Sequence, residues 1–186
     1  MKVDWFGKSV RGRGEYACTE DFFSVFECER KVLQRLAFLL TANSEAAKRC
    51  LIRALRECTS CSSVSREWVL RWTRRIVIRV AINLVMSPEG KSIADANDDV
   101  DNGLIAFSPD DLRSTIGEFE LILNLPELDR FVLVICVLEC YSMHDCALLL
   151  GKSIRDINEA RQRVRDRVGE TDRHGIVLEC VAMCNT

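Results

Sequence analysis

Glycine and proline are scarce, at nine and three in 186 residues. That excludes collagen-like repeats and low-complexity architecture and argues against a turn-dense all-β fold. Histidine is nearly missing, with only His144 and His174, so a zinc centre built on histidines has few ligands to draw on. No apolar run reaches the roughly 18 residues of a membrane span. The best stretch, Ile76 to Met86, is interrupted by Arg79 and Asn83. The basic segment from Met1 to Arg13 lacks the apolar centre of a secretory signal. The expectation is a cytoplasmic protein with no membrane partner, whose cysteines are reduced. An excess of one charge is absent too, since 26 Lys/Arg meet 28 Asp/Glu for a net −2.

What is present is a composition that packs. Apolar residues make up 48% and charged residues 29%, enough to build a core and too apolar for wholesale disorder. The near-neutral total conceals a segregation. Residues 1–86 carry +7, residues 87–130 carry −8 and residues 131–186 carry −1. Such asymmetry bears on partners more than the total does, although solvation of helix faces accounts for many charge runs.

The apolar spacing is helical almost throughout. One helix is predicted from Glu20 to Thr41 on Phe22, Phe26, Leu33, Leu36 and Leu40. Asn43 or Ser44 caps a second, and Thr59 to Ser63 reads as a loop. Ser65 caps a third helix over Arg66 to Val85. Ser87-Pro88-Glu89-Gly90 stops it, and the acidic, aperiodic stretch to Pro109 reads as a linker. Helical spacing resumes near Asp110, and Pro126 suits the first position of a nearly all-apolar helix from Glu127 to Cys140. Then comes a compact pattern. Ser142 caps Met143–Leu150, Gly151 supplies a left-handed turn residue, and Ser153 caps a helix from Ile154 to Val168 with an apolar stripe of Ile154, Ile157, Ala160 and Val164. This describes a helix-turn-helix, and on spacing alone it equally describes a three-helix bundle with a solvated outer helix.

The fold class is therefore all-α, with two small helical domains. The divisions are a basic tail 1–19, a helical domain 20–86, an acidic linker 87–109, a helix-turn-helix domain 110–169 and a tail 170–186. The last helix carries residue types that reach phosphates and base edges. With the residues just before it, the DNA-binding candidates are Lys152, Ser153, Arg155, Asn158, Arg161, Gln162, Arg163 and Arg165. A second set lies on the third helix. Trp68 and Trp72, with Arg71, Arg74 and Arg75, combine stacking surfaces with cations, as single-strand binding requires. The plainer reading packs Trp68 on the first helix.

The segment Leu125-Pro126-Glu127-Leu128-Asp129-Arg130, the apolar helix after it, Tyr141-Ser142 and Ala147-Leu148-Leu149-Leu150-Gly151-Lys152-Ser153 resemble region 4 of bacterial sigma-70 factors, in particular the extracytoplasmic-function type. Leu36 to Leu40, Ser44 to Ala47, Leu51 to Leu55 and the span from Glu67 to Val85 resemble region 2. The resemblance implies a transcription initiation protein that binds promoter DNA and core RNA polymerase, with an anti-sigma factor as a further partner and no enzymatic activity of its own. Three departures stand out. Lys48, Arg49 and Cys50 occupy the place of an acidic, Gln-containing stretch that docks on polymerase, Arg74, Arg75 and Arg79 stand on the third helix in place of its usual Asn and Asp, and Asp156 and Glu159 lie in the first turns of the recognition helix. The alternatives are a DNA-binding regulator that does not recruit polymerase, and a helical protein-interaction or thiol-sensor module that no longer touches DNA.

Other chemistry is sparse. Gly7, Gly12 and Gly14 do not form a phosphate loop, and neither a nucleophile elbow nor an HExxH pattern occurs. Ten cysteines include one CxxC, Cys58-Thr59-Ser60-Cys61. A tetrahedral zinc site needs four ligands, so no metal or other cofactor is expected, and most thiols are expected to be buried as small hydrophobes. Cys58 and Cys61, expected on a loop, are the candidates for redox sensing.

Overall fold

A computed structural model describes residues 16–60, 63–86 and 119–171. Among them the regular structure is helical, and the one β contact is an isolated bridge between Tyr16 and Ser65. The all-α class is correct. The stretch expected to be a linker, the start of the second helical unit, Cys61 and the expected tails up to Glu15 and from Asp172 lie outside the described residues.

The first unit holds α1 (Thr19–Cys28), α2 (Arg30–Thr41), α3 (Ser44–Thr59) and α4 (Val69–Met86). The single helix expected over Glu20–Thr41 is broken at Glu29, whose backbone adopts φ −100° and ψ 16°. An unbroken helix would carry Glu29 on the stripe of Phe26 and Leu33, three residues from one and four from the other. Both of those side chains are buried, and the break leaves Glu29 half-exposed. Asn43 caps α3, its side-chain oxygen accepting from the Ala46 N–H at 2.9 Å. α3 then buries Ala47, Cys50, Leu51, Ala54, Leu55 and Cys58 at three- and four-residue spacing. It continues through Thr59, so Cys58 lies in the core and not on the expected loop.

Ser65 does not cap a long α-helix by its side chain. Its carbonyl accepts from the Trp68 N–H at 2.9 Å, closing a tight turn over Arg66–Trp68 before α4 begins. Bidentate hydrogen bonds from Arg66 to Asp21 tie that turn to the first turn of α1. α4 packs on α2 and α3 through Ile76, Val77, Val80 and Ala81.

In the second unit, residues 119–123 are helical. Pro126 stands at the N-cap with ψ 149°, one position earlier than expected. α5 (Glu127–Val132) widens into a π-helix over Leu133–Leu138, where the sequence predicts one regular helix. The segment touches α2, α6 and α7, and Phe131 to Val137 are all buried. Contact on every side replaces the single packed stripe of a surface helix. α6 (Met143–Leu150) and α7 (Ile154–Thr171) follow. The units meet where α2 touches α5 and where α4 touches α6. The Arg130 guanidinium, buried there, donates to the carbonyls of Leu40 and Leu125 at 3.3 Å. Burial pushes its pKa down against the pull of Glu127. No described helix is long and apolar enough to cross a membrane.

Candidate nucleic-acid interface

The turn between α6 and α7 is built by local chemistry. The Ser142 hydroxyl accepts from the Asp145 N–H at 3.1 Å, opening α6. Gly151, at φ 59°, closes it, and the Lys152 N–H reaches back to the Ala147 carbonyl at 3.1 Å. The Ser153 hydroxyl accepts from the Asp156 N–H, while the Asp156 carboxylate accepts from the Ser153 N–H, each at 3.1 Å. That reciprocal pair is a capping box made with Asp. Asp156 is therefore part of the helix start, and its hydrogen bonds with Ser153 hold its pKa down. Ile157, Ala160 and Val164 face the core as expected. Ile154 does not: it is 50% exposed, in the first turn of α7.

The expected DNA-contacting residues divide once their partners are known. Lys152, Asn158 and Arg165 are exposed. Ser153 is exposed and engaged in the cap. Arg155 is exposed and paired with Glu159 at 2.9 Å, and Gln162 donates to Asp166 at 3.0 Å. Arg161 is half-buried and its charge acts on Cys136. Arg163 is taken up by structure. Its Nε and Nη2 donate to Asp129, a carboxylate 1% exposed on α5, with the shortest contact at 2.7 Å. Nothing in the sequence spacing announces that bond, because its partners are 34 residues apart.

The aromatic and basic set on the Arg66–Trp68 turn and the leading part of α4 lines a cleft of about 590 Å³ against the corner from Glu139 to Asp145. Trp68 is 52% exposed, contrary to the reading that packs it on the first expected helix, and the Arg71 guanidinium lies 5.4 Å from its ring centroid. Trp72 is half-buried against the core, with its indole Nε1 buried and lacking an acceptor. Arg74 donates through Nη2 to Glu139 at 2.9 Å, and its Nε is likewise buried without an acceptor. Arg75 is exposed. Burial pushes the Glu139 carboxyl up, and Arg74 pulls it back. Glu139 and Tyr141 were not foreseen as members of this site. The chain turns there through Cys140 at φ 55°, a conformation that spacing does not reveal.

Seven cysteines are described, and all are free thiols. Cys50, Cys58, Cys136 and Cys146 are buried, while Cys18, Cys28 and Cys140 are exposed. Cys136 on the π-helix and Cys146 on α6 share a hydrogen bond, which lowers the first thiol's pKa and raises the second's. Burial drives the Cys50 thiol strongly up. Among the described residues no cluster of three or more His, Cys, Asp or Glu is arranged to hold a metal ion. No family model matches the chain, and no curated protein matches it either.

Proposed function

We propose that the protein is a sigma factor-like transcription initiation protein that sets α7 against promoter DNA and binds core RNA polymerase through the α1–α4 unit. The observation that carries this reading is the α6–turn–α7 corner. Both helices are side-chain capped, a left-handed glycine joins them, and Lys152, Asn158 and Arg165 are left exposed. A rigid corner holding exposed cations and an amide is what a recognition helix needs to meet phosphates and base edges. The sequence resemblance to sigma regions 2 and 4 supplies the polymerase partner, and the Trp and Arg face of α4 suits an unpaired strand.

A second reading is a DNA-binding regulator that does not recruit polymerase. It is favoured by Arg49, exposed, and Lys48, half-exposed, on the α3 surface where the resembled family is acidic.

The test is copurification of the tagged full chain with core RNA polymerase, joined to duplex binding across a salt series. The expected result is a stable complex with polymerase and an affinity that falls steeply with salt. Arg165→Ala should reduce the slope of log K against log salt by about 1 if that side chain meets a phosphate. Duplex binding without polymerase would select the second reading. No salt-sensitive binding even at low ionic strength would remove both.

A further inference from the structure

The face of α4 assigned above to an unpaired strand is half covered by the chain's own corner after α5. Trp72 and Arg74, two of the five aromatic and basic residues on α4 and the turn before it, lie under that corner. A charge pair spans the cover, Arg74 Nη2 to Glu139 Oε1 at 2.9 Å, with side chains 35% and 8% exposed. A carboxylate oxygen at that distance from a guanidinium makes the same charge-assisted hydrogen bond that a phosphate oxygen would make. The closure is imperfect. It leaves the Trp72 Nε1 and the Arg74 Nε buried with no acceptor, a cost that native interiors rarely leave unmet. A nucleotide strand carries acceptors on both phosphates and base edges. Trp68, Arg71 and Arg75 remain exposed beside the covered pair, so an incoming strand has a foothold before the cover opens.

We propose that Glu139 occupies the place of a nucleic-acid phosphate on Arg74, so that the packed arrangement is a self-masked form and single-stranded DNA competes with the Glu139–Asp145 corner for α4. The proposal rests on the reading of α4 as a strand-binding face. It predicts that removing the Glu139 charge strengthens single-strand binding and leaves duplex binding by α7 alone.

The experiment compares the full chain with Glu139→Gln by fluorescence anisotropy. The probes are a labelled oligo-dT of roughly fifteen nucleotides and, separately, a promoter duplex. The expected result is a gain of about fivefold in oligo-dT affinity for Glu139→Gln, on the scale of one partly buried ion pair, with duplex affinity unchanged. A folded Glu139→Gln protein with unchanged or weaker oligo-dT affinity overturns the masking while leaving the strand-binding face intact. Absence of oligo-dT binding by both proteins overturns the strand-binding face and the masking with it. Hydrogen exchange on the unaltered protein gives an independent reading if the variant does not fold. Saturating oligo-dT should speed exchange at the Glu139 and Tyr141 amides, which bond to Val134 and Ile135 in the closed corner. Unchanged or slower exchange there, with the strand bound, overturns the proposal.

Discussion

Arg163 and Arg165 lie two residues apart on α7 and do different work. Arg165 is exposed, whereas Arg163 neutralises Asp129, whose carboxylate is 1% exposed beneath α7. The two ends of that pair are unequal, because Arg163 is itself 46% exposed and can be hydrated when alone. Asp129 cannot, and its next cation, Arg167, is 3.9 Å away. Arg163→Gln should therefore destabilise the fold by about 2–4 kcal/mol and Asp129→Asn by only about 1 kcal/mol. Urea unfolding of the two variants checks the order, and a larger loss for Asp129→Asn would show that the carboxylate is not the dependent partner. A loss of DNA binding in Arg163→Gln would then need correcting for folded fraction before Arg163 is counted as a contact. The basic pattern of α7 was legible in the sequence at this scale, but which arginines remain available to a ligand was not. That depends on Asp129 arriving from another helix.

The joints between elements divide in the same way. The corner from Ser142 to Ile157 was legible because every bond that makes it spans five residues or fewer. The break at Glu29, the tight turn before α4 and the π-helix over Leu133–Leu138 were not, since packing partners distant in sequence decide them. The turn before α4 is held by Arg66 on Asp21 across 45 residues. Burial works to raise the Asp21 carboxyl, but hydrogen bonds from Arg66 and from the Cys18 backbone N–H prevail and bring it to about 2. A carboxyl with a depressed folded-state pKa stabilises the fold above its unfolded value near 4. That contribution is lost as pH falls from about 4 through about 2, and is worth about 1–2 kcal/mol after allowance for the partly exposed Arg66. Asp21→Asn should be less stable than the unaltered chain at neutral pH, and the gap should close across that acid window. Thermal melts at stepped pH provide the measurement, and a gap that persists at pH 2 would show that the cost is not the charge.

Across the whole molecule, the apolar core runs from α1 through α7, and polar contacts join the two units where Arg130 donates to the Leu40 carbonyl and where Arg74 pairs with Glu139. This burial sorts the thiols. Brief alkylation of the native protein with iodoacetamide should label Cys18, Cys28 and Cys140 and spare Cys50, Cys58, Cys136 and Cys146 until denaturant is added. Peptide mass spectrometry reads the pattern. Rapid labelling of Cys58 in the native state would restore the loop position that the sequence predicted for it, and with it the case for a Cys58–Cys61 redox pair.

The sequence by itself determined the helical class, the capped α6–turn–α7 corner and the burial of the α5 segment. Each follows from the spacing of apolar residues or from a cap and its neighbours a few positions away. Only the tertiary structure decided that Asp129 claims Arg163, that Cys58 is core, that Trp68 stands exposed and that Glu139 covers Arg74. Those outcomes depend on side chains brought together from distant parts of the chain, and neither periodicity nor segment charge carries information about which of them meet.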